Sequence, residues 1–407
     1  MRPPPISISN DMFYNISLKV QILFLAVLLS GFTGIRPLDF ATISDLIFIL
    51  TFILYLIKFP FDKHPIINKS IIISFFLLVL HLCITHLIIP DNYFNEDVVV
   101  LFKIFISLYL LPYIIADICK TRLDIKIIIM AYVGSAAIST FAGLIDTLQF
   151  LNIKETFDLK TVGGWYSHER MYGLAMHPNH FGQLCSIAMC FMLSLIPVAK
   201  KTMHWILWIV ILVMLFFGVL LSGSRSSLIP IILLSVLLII LYSKKHTYVF
   251  RCLCTGIIVV VISLILMQFV ENNIDIYSSF ERLLSGSHGV SSSTQHRITT
   301  YFNIYDTFSF LGYGLHSVRS IENFYLQFIY SLGIIGIIWQ MIYFMPFLIK
   351  SYYILKYEKY NMIKISSVFA FICVLISILF LNTVYNRFTT IPIGILMANM
   401  LHRKNHN

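Results

Sequence analysis

Charged residues are scarce in this sequence. Of its 407 residues, 12% are charged and 58% are hydrophobic, and the mean hydropathy is +0.85. A soluble domain has no interior large enough for so many apolar side chains, so this composition predicts a polytopic membrane protein. A basic tract with interleaved aromatic residues is also missing, which argues against a nucleic-acid partner despite the net charge of +10.

The sequence likewise lacks the usual signatures of metal sites, disulfide frameworks and secretion leaders. Cys252 and Cys254 have no second cysteine pair that would complete a zinc site. His177 and His180 have an H-x-x-H spacing, but Pro178 interrupts it, so polar loop residues at a helix start are the better interpretation. We therefore expect no metal and no cofactor. The polar N-terminus shows no cleavable signal pattern.

Long hydrophobic segments are what the sequence has in abundance. Each crossing of a bilayer needs roughly 20 apolar residues, and backbone groups in lipid must bond internally, so these segments are predicted to be helices. The sequence predicts one all-α integral membrane domain with about 12 transmembrane helices. We place them near 16–35, 43–57, 70–89, 98–115, 125–151, 181–198, 204–221, 227–242, 248–270, 321–349, 363–381 and 388–401.

The distribution of cations predicts the orientation of these helices. Most lysines fall in segments that face inward if the N-terminus is cytoplasmic, and this places both termini inside. Two outward segments are long, at 152–180 and 271–320, and loops of that length are usually functional or disordered. The outward cations are mostly arginines, whose planar guanidinium suits phosphate or carboxylate. We therefore expect an anion to be handled on the outer face.

The richest chemistry lies between Phe280 and Tyr330, where the chain becomes polar after a hydrophobic segment. Arg297 and Arg319 occur in this stretch, and Glu322-Asn323 follows at the start of the next hydrophobic segment. A carboxylate at a membrane surface can take the proton of a sugar hydroxyl as general base. The alternatives are structural: Glu322 as a first-turn residue favoured by the helix dipole, and Asn323 as a helix cap.

The tenth hydrophobic segment is expected to form one helix over 321–349. Since this is longer than a membrane crossing requires, its first turn is expected to project above the membrane and to face the loop that carries Arg297. Glu322 would then lie near fixed cations, which keep a carboxylate ionised.

Three motifs occur in a recognisable order along the chain. They are LLSGSRSSLIP at 220–230, Arg170-Met-Tyr-Gly173 with His177-Pro-Asn179, and Gly312-Tyr-Gly314 with Glu322-Asn323 and Gly333-Ile-Ile-Gly336. In this order and spacing they resemble the O-antigen polymerase/ligase superfamily (Wzy/WaaL-like). The motifs cover residues 165–340, and the resemblance extends to the whole chain in span number and loop order.

The resemblance implies a GT-C-like membrane glycosyltransferase in the bacterial inner membrane, with its active face in the periplasm. The donor it implies is an undecaprenyl-pyrophosphate-linked oligosaccharide, and the acceptor is a sugar hydroxyl. By resemblance, Arg225 and Arg297 match the arginines that bind the pyrophosphate, and Arg319, Arg170 and Asn323 are further substrate-binding candidates. Expected partners are the bilayer, a chain-length regulator (Wzz-like) and a flippase.

Glu322 separates the two reactions that this superfamily performs. Ligases typically have a histidine at this position, so Glu322 favours a polymerase that joins repeat units of O-antigen, capsule or exopolysaccharide. An O-antigen ligase acting on lipid A-core remains the alternative within the class. A lipid-linked oligosaccharide flippase or other transporter ranks third, because transporters carry charges near mid-membrane and repeated halves, whereas here the charges cluster at the outer face.

Overall fold

The computed structural model describes residues 16–37, 42–58, 68–88, 93–147, 170–194, 202–270, 299–304, 306, 308–316, 321, 323–358, 360–381 and 386–401. Much of the two predicted outward loops, 152–169 and 271–298, lies outside these described residues. Within them the chain forms helices and no strand.

Fourteen α-helices are named here in chain order. They are α1 (Leu18–Leu28), α2 (Ile43–Lys58), α3 (Lys69–Ile88), α4 (Phe94–Ile104), α5 (Leu111–Ile118), α6 (Arg122–Thr147), α7 (Pro178–Leu193), α8 (Thr202–Leu221), α9 (Arg225–Leu241), α10 (His246–Val270), α11 (Phe324–Leu332), α12 (Ile334–Tyr357), α13 (Met362–Ser377) and α14 (Arg387–Leu401). A π-helical turn, Phe105–Leu110, joins α4 to α5 without a break.

The protein is a helical membrane protein. Within the described residues, five helical segments are long and apolar enough to cross a membrane, namely α3, the continuous α4–α5 segment, α6, α10 and α12. Many of the large apolar side chains of α10 are exposed, as is typical of a helix that faces lipid. Each of the twelve predicted segments overlaps a helix, although the number of crossings stays a prediction.

Helix α7 is the centre of the bundle. Almost every side chain from Pro178 to Met192 is buried, because α6, α8, α9 and α13 all pack against it. It begins at Pro178, so the last residues of the predicted 152–180 loop are helical. Proline suits the first turn of a helix because it has no N–H to leave unsatisfied.

The predicted single helix over 321–349 is wrong. Gly333, with φ 58° and ψ −138°, ends α11, and α12 starts at the next residue. The two helices fold back on each other as a hairpin, since the Gln340 side chain donates to the Tyr325 carbonyl at 2.9 Å. A residue with a side chain rarely adopts this positive φ, so glycine permits the reversal.

The hairpin positions the start of α11 beside α12 and the end of α13. α11 has nine residues, so its first turn lies about 13 Å from the Gly333 turn, measured along the helix. Phe324 packs near Phe344 of α12, and its N–H donates to the Ile378 carbonyl at the end of α13. The first turn of α11 is therefore packed against α12 and the end of α13, and its projection above the membrane stays a prediction.

Candidate functional site

Three of the six predicted site residues are described by the structure: Arg170, Arg225 and Asn323. Glu322, Arg297 and Arg319 lie outside the described residues. Arg170, Arg225, Asn323 and their neighbours form the described part of the candidate site. All three lie at the end of the bundle that the cation distribution predicts to face outward, which we call the predicted outer end.

Arg170 ties two distant segments of the chain together. Its side chain is buried, its Nε donates to the Ser222 carbonyl at 2.6 Å, and its Nη2 donates to Asn179 Oδ1 at 2.6 Å. The neighbouring backbone follows the same path, because the Met171 N–H donates to the Leu221 carbonyl. The Arg-x-x-Gly…Asn pattern seen in the sequence therefore corresponds to a direct side-chain contact. We call Arg170, Asn179, Ser222 and Arg225 the arginine junction.

Helices α7 and α9 approach each other closely beside the arginine junction. A Cβ placed on Gly182 of α7 would lie 2.5 Å from Ser222 Oγ and 2.9 Å from Ser227 Oγ, so no larger residue fits without a shift. The loop 222–224 is consequently pressed against the first turn of α7. This contact sets where α9 begins.

Arg225 is the first residue of α9, and its side chain is exposed. The N-cap residue Ser224 makes no side-chain capping bond to the helix, since its hydroxyl pairs with those of Ser226 and Ser227. The N-terminus of a helix carries a partial positive charge that adds to a nearby guanidinium. The start of α9 is therefore suited to an anion with phosphate or carboxylate oxygens.

Two further arginines occupy the predicted outer end. The loop after α1 packs on the segment after Arg170, with Gly34 N–H donating to the Leu174 carbonyl at 2.9 Å. It brings the Arg36 guanidinium to the sulfur of Met176. Arg387, at the start of α14, forms an ion pair with Asp45 through its Nε at 2.7 Å. The arrangement concentrates guanidinium groups at one end of the bundle.

Gln183 is a polar residue of this region that the sequence analysis missed. It lies one turn after Asn179 on α7 and is completely buried, and neither polar atom of its amide has a hydrogen-bond partner among the described residues. Such a group costs about 1–3 kcal/mol when left unpaired, so it is an unusual feature in a helix interior. A glutamine inside a predicted span was the available signal, because polar residues at that depth tend to be functional.

Asn323 lies at the same height in the bundle as Gln183, but at the start of a different helix, α11. It caps α11 through Oδ1, which accepts from the Leu326 N–H at 3.1 Å. This is the structural alternative for Asn323, and its role in substrate binding stays a prediction. Ser186 lies opposite Cys373 where α7 and α13 run antiparallel, so Gln183 is level with the end of α13. Phe324, next to Asn323, bonds that same end at Ile378.

His177 and His180 lie beside the junction, with ring centroids 5.4 Å apart. His177 Nδ1 accepts from the Asn179 N–H at 3.1 Å and so caps α7. Burial, together with the nearby charge of Arg170, lowers the pKa of His177 to about 4. The two rings are neutral loop and cap groups, and no cluster of three metal-ligating side chains occurs among the described residues.

No family model, no curated protein and no solved structure matches this chain. The chemistry of the site therefore rests on its own geometry. The arginine junction holds a buried guanidinium in place and presents a second, exposed guanidinium at a helix N-terminus. The buried amide of Gln183 lies one turn further along α7, and the capped start of α11 lies at the end of α13. The arrangement can bind an anionic group at the surface and hold polar groups of the same ligand further in.

Proposed function

We propose that this protein is a polysaccharide polymerase of the Wzy type, acting at the outer face of the bacterial inner membrane. The observation that carries the proposal is the arginine junction, in which buried Arg170 fixes the loop that presents Arg225 at the start of α9. Its substrate is an undecaprenyl-pyrophosphate-linked oligosaccharide. A lipid-linked donor brings its pyrophosphate to the membrane surface, where this pair of arginines lies in the predicted topology.

The reaction joins two lipid-linked repeat units. The oxygen of an acceptor hydroxyl attacks the anomeric carbon of the donor sugar, and the bond from that carbon to the pyrophosphate oxygen breaks. The leaving pyrophosphate takes the electron pair and gains negative charge, which a guanidinium stabilises more strongly in the transition state than in the ground state. Arg225 performs this role, and Arg170 holds it in position through Ser222.

The acceptor proton requires a base, and Glu322 remains our proposal for that role. It directly precedes Asn323, whose backbone is anchored at the start of α11 beside Ile378. Arg297 and Arg319 are proposed as further pyrophosphate ligands on the basis of the family resemblance. No step of this reaction needs a metal or a nucleotide-sugar donor.

The test is polymerisation by purified protein in nanodiscs, with lipid-linked repeat unit as substrate and polymer length read on a gel. Arg225→Lys keeps the charge but loses the planar fork of donors, so we expect the rate to fall by about tenfold or more. Arg122→Lys, at an exposed residue of the predicted inner end, is the matched control. Full-length polymer made at normal rate by Arg225→Ala would refute the proposal.

The same assay separates Glu322 from a structural role and the polymerase from its rivals. Glu322→Gln keeps the side-chain size, and loss of a general base lowers the rate by about 10² to 10⁴. A near wild-type rate makes Glu322 structural. Transfer only to lipid A-core identifies a ligase, and movement of intact lipid-linked units across vesicles without chain growth identifies a flippase.

A further inference from the structure

A second polar cluster lies at the predicted outer end, away from the arginine junction. Asp97 in the first turn of α4 is buried, with its side chain 1% exposed. His86 Nε2 lies 3.0 Å from Asp97 Oδ2, and His316 Nδ1 lies 2.9 Å from Asp97 Oδ1. The His316 backbone N–H also donates to Oδ1. One carboxylate thus joins the end of α3, the start of α4 and the loop 308–316.

This bonding fixes which ring atom of His316 is available. Asp97 occupies the Nδ1 side of the ring, so Nε2 is the ring nitrogen that faces away from the carboxylate. The side chain is 17% exposed. The His316 ring is therefore held in one orientation, as a preorganised binding group requires.

Tyr93 lies directly against His316, and Tyr313 precedes His316 by three residues in the same loop. Each of the two aromatic rings is stacked on a second ring. Tyr93 stacks on the His316 imidazole with centroids 4.4 Å apart and an interplanar angle of 14°. Tyr313 stacks on Tyr330 at 4.6 Å and 25°. Tyr93 and Tyr313 are 48% and 42% exposed, so each ring is stacked on one side and still partly accessible.

The loop that carries Tyr313 and His316 is shaped for this arrangement. Gly312 and Gly314 have φ values of 77° and 85°, a region of backbone conformation that glycine adopts readily. The loop is hydrogen-bonded to the hairpin, since the N–H groups of Tyr313 and Gly314 donate to the carbonyls of Tyr330 and Ser331. The aromatic rings consequently rest on helical structure.

We propose that Tyr93, Tyr313 and the His316–Asp97 pair form a saccharide-binding subsite for the glycan part of the lipid-linked substrate. A sugar ring has an apolar face of C–H groups, which packs on an exposed aromatic ring, and hydroxyls around its edge. His316 Nε2 forms a hydrogen bond with one hydroxyl, and the tyrosine hydroxyls bond others. Because the rings are already stacked, binding freezes few side-chain rotations.

The charge of the cluster identifies an uncharged, hydroxyl-rich ligand in preference to a phosphate. Asp97 and the exposed neighbour Glu96 are both acidic, and they repel lipid phosphates and pyrophosphate alike. A membrane-interface aromatic needs no buried carboxylate beneath it, and burying one is costly. The pyrophosphate belongs at the arginine junction, and the sugars of the same substrate extend toward His316.

The subsite rests on the proposed polymerase function, but binding tests it without turnover. The probe is the free oligosaccharide released by mild acid from the lipid-linked units of the native cells, and its binding to protein in nanodiscs is followed by saturation-transfer NMR. Tyr93→Leu and Tyr313→Leu each remove a ring, and we expect the affinity to fall by about fivefold or more. Tyr93→Phe keeps the ring and most of the affinity. Tyr352→Leu, 63% exposed at the predicted inner end, leaves binding unchanged.

Two results overturn the subsite. One is equal saccharide binding by wild type and both leucine variants. The other is quenching of a Tyr93→Trp variant by brominated phospholipid, which assigns the ring to the bilayer interface. If the protein binds the saccharide through these rings but makes no polymer, the polymerase function is refuted and the subsite is not. If the leucine variants make normal polymer and bind the saccharide as the wild type does, the subsite alone is refuted.

Discussion

His177 couples the loop that carries Arg170 to the first turn of α7. Its Nδ1 must have a free lone pair to accept from the Asn179 N–H, so only the neutral ring caps the helix. Asn179 in turn accepts from Arg170 through Oδ1. Protonation of His177 therefore removes a cap and places a second positive charge beside a buried guanidinium.

We predict that this histidine makes stability fall with acidification. Burial lowers its pKa in the folded protein from 6.5 to about 4, so the unfolded chain binds the proton more tightly. The stabilisation is complete above about pH 6.5 and is lost between about pH 6.5 and 4, by up to about 1.4 kcal/mol per pH unit. His177→Asn caps the helix without titrating, so its unfolding free energy in detergent should change less between pH 7 and 5.

The matched control for this prediction is His246→Asn, at an exposed histidine that starts α10. It should keep the pH dependence of the wild type. A His177→Asn protein with the wild-type pH profile would show that other groups cause the acid sensitivity.

At the scale of the helix, the α11–α12 hairpin depends on two glycines. Gly333 supplies the reversal, and Gly336 lets the backbones touch, since a Cβ there would lie 2.2 Å from the Phe328 carbonyl oxygen. Backbone atoms of two helices have little freedom to move apart. The contact positions Asn323 and the loop 308–316 at opposite ends of α11.

Alanine substitutions at two helical glycines should therefore act in opposite directions. Gly336→Ala forces the hairpin apart and should destabilise the protein by about 1–3 kcal/mol. Gly256 in α10 has no atom within 4 Å of an added Cβ, so Gly256→Ala should stabilise by up to about 1 kcal/mol through helix propensity. Unfolding in detergent measures both, and equal effects at the two positions would contradict the hairpin.

The helices themselves were predictable from the sequence, whereas the hairpin was not. Apolar runs of sufficient length predict helices, and the Asn323 cap follows from local chemistry. Gly333 lies between apolar residues, and one glycine inside a helical pattern does not by itself signal a reversal. The contact between Asp97 and His316 joins residues 219 positions apart, so no local pattern reveals it.

The arginine junction could likewise not be predicted in full from local sequence patterns. The order of the motifs identified Arg170 and Arg225, but the bond from Arg170 to the Ser222 carbonyl depends on how α7 packs against α9. Gln183 was not singled out, since its burial follows from four neighbouring helices. Tertiary packing, and not local propensity, decides these features.

At the scale of the whole molecule, the cations predict which end of the bundle faces outward. Lys350, Glu358 and Lys364 form ion pairs at the predicted inner end, and the arginine junction lies at the other. Reporter fusions at Lys245 and Lys356 should report a cytoplasmic location, and those at Ser167 and Ser287 an external one. An external signal at Lys245 would contradict the predicted number of crossings.

The position of the first turn of α11 affects which nucleophile reaches the activated glycan, the acceptor hydroxyl or water. Asn323, ten residues before Gly333, lies about 15 Å along α11 from the Gly333 turn and is 9% exposed. A sugar hydroxyl that reaches this level displaces most of the water around it. In the proposed polymerase, hydrolysis of the activated glycan would then be suppressed by the folding of α11 alone, so that each activated unit lengthens a chain.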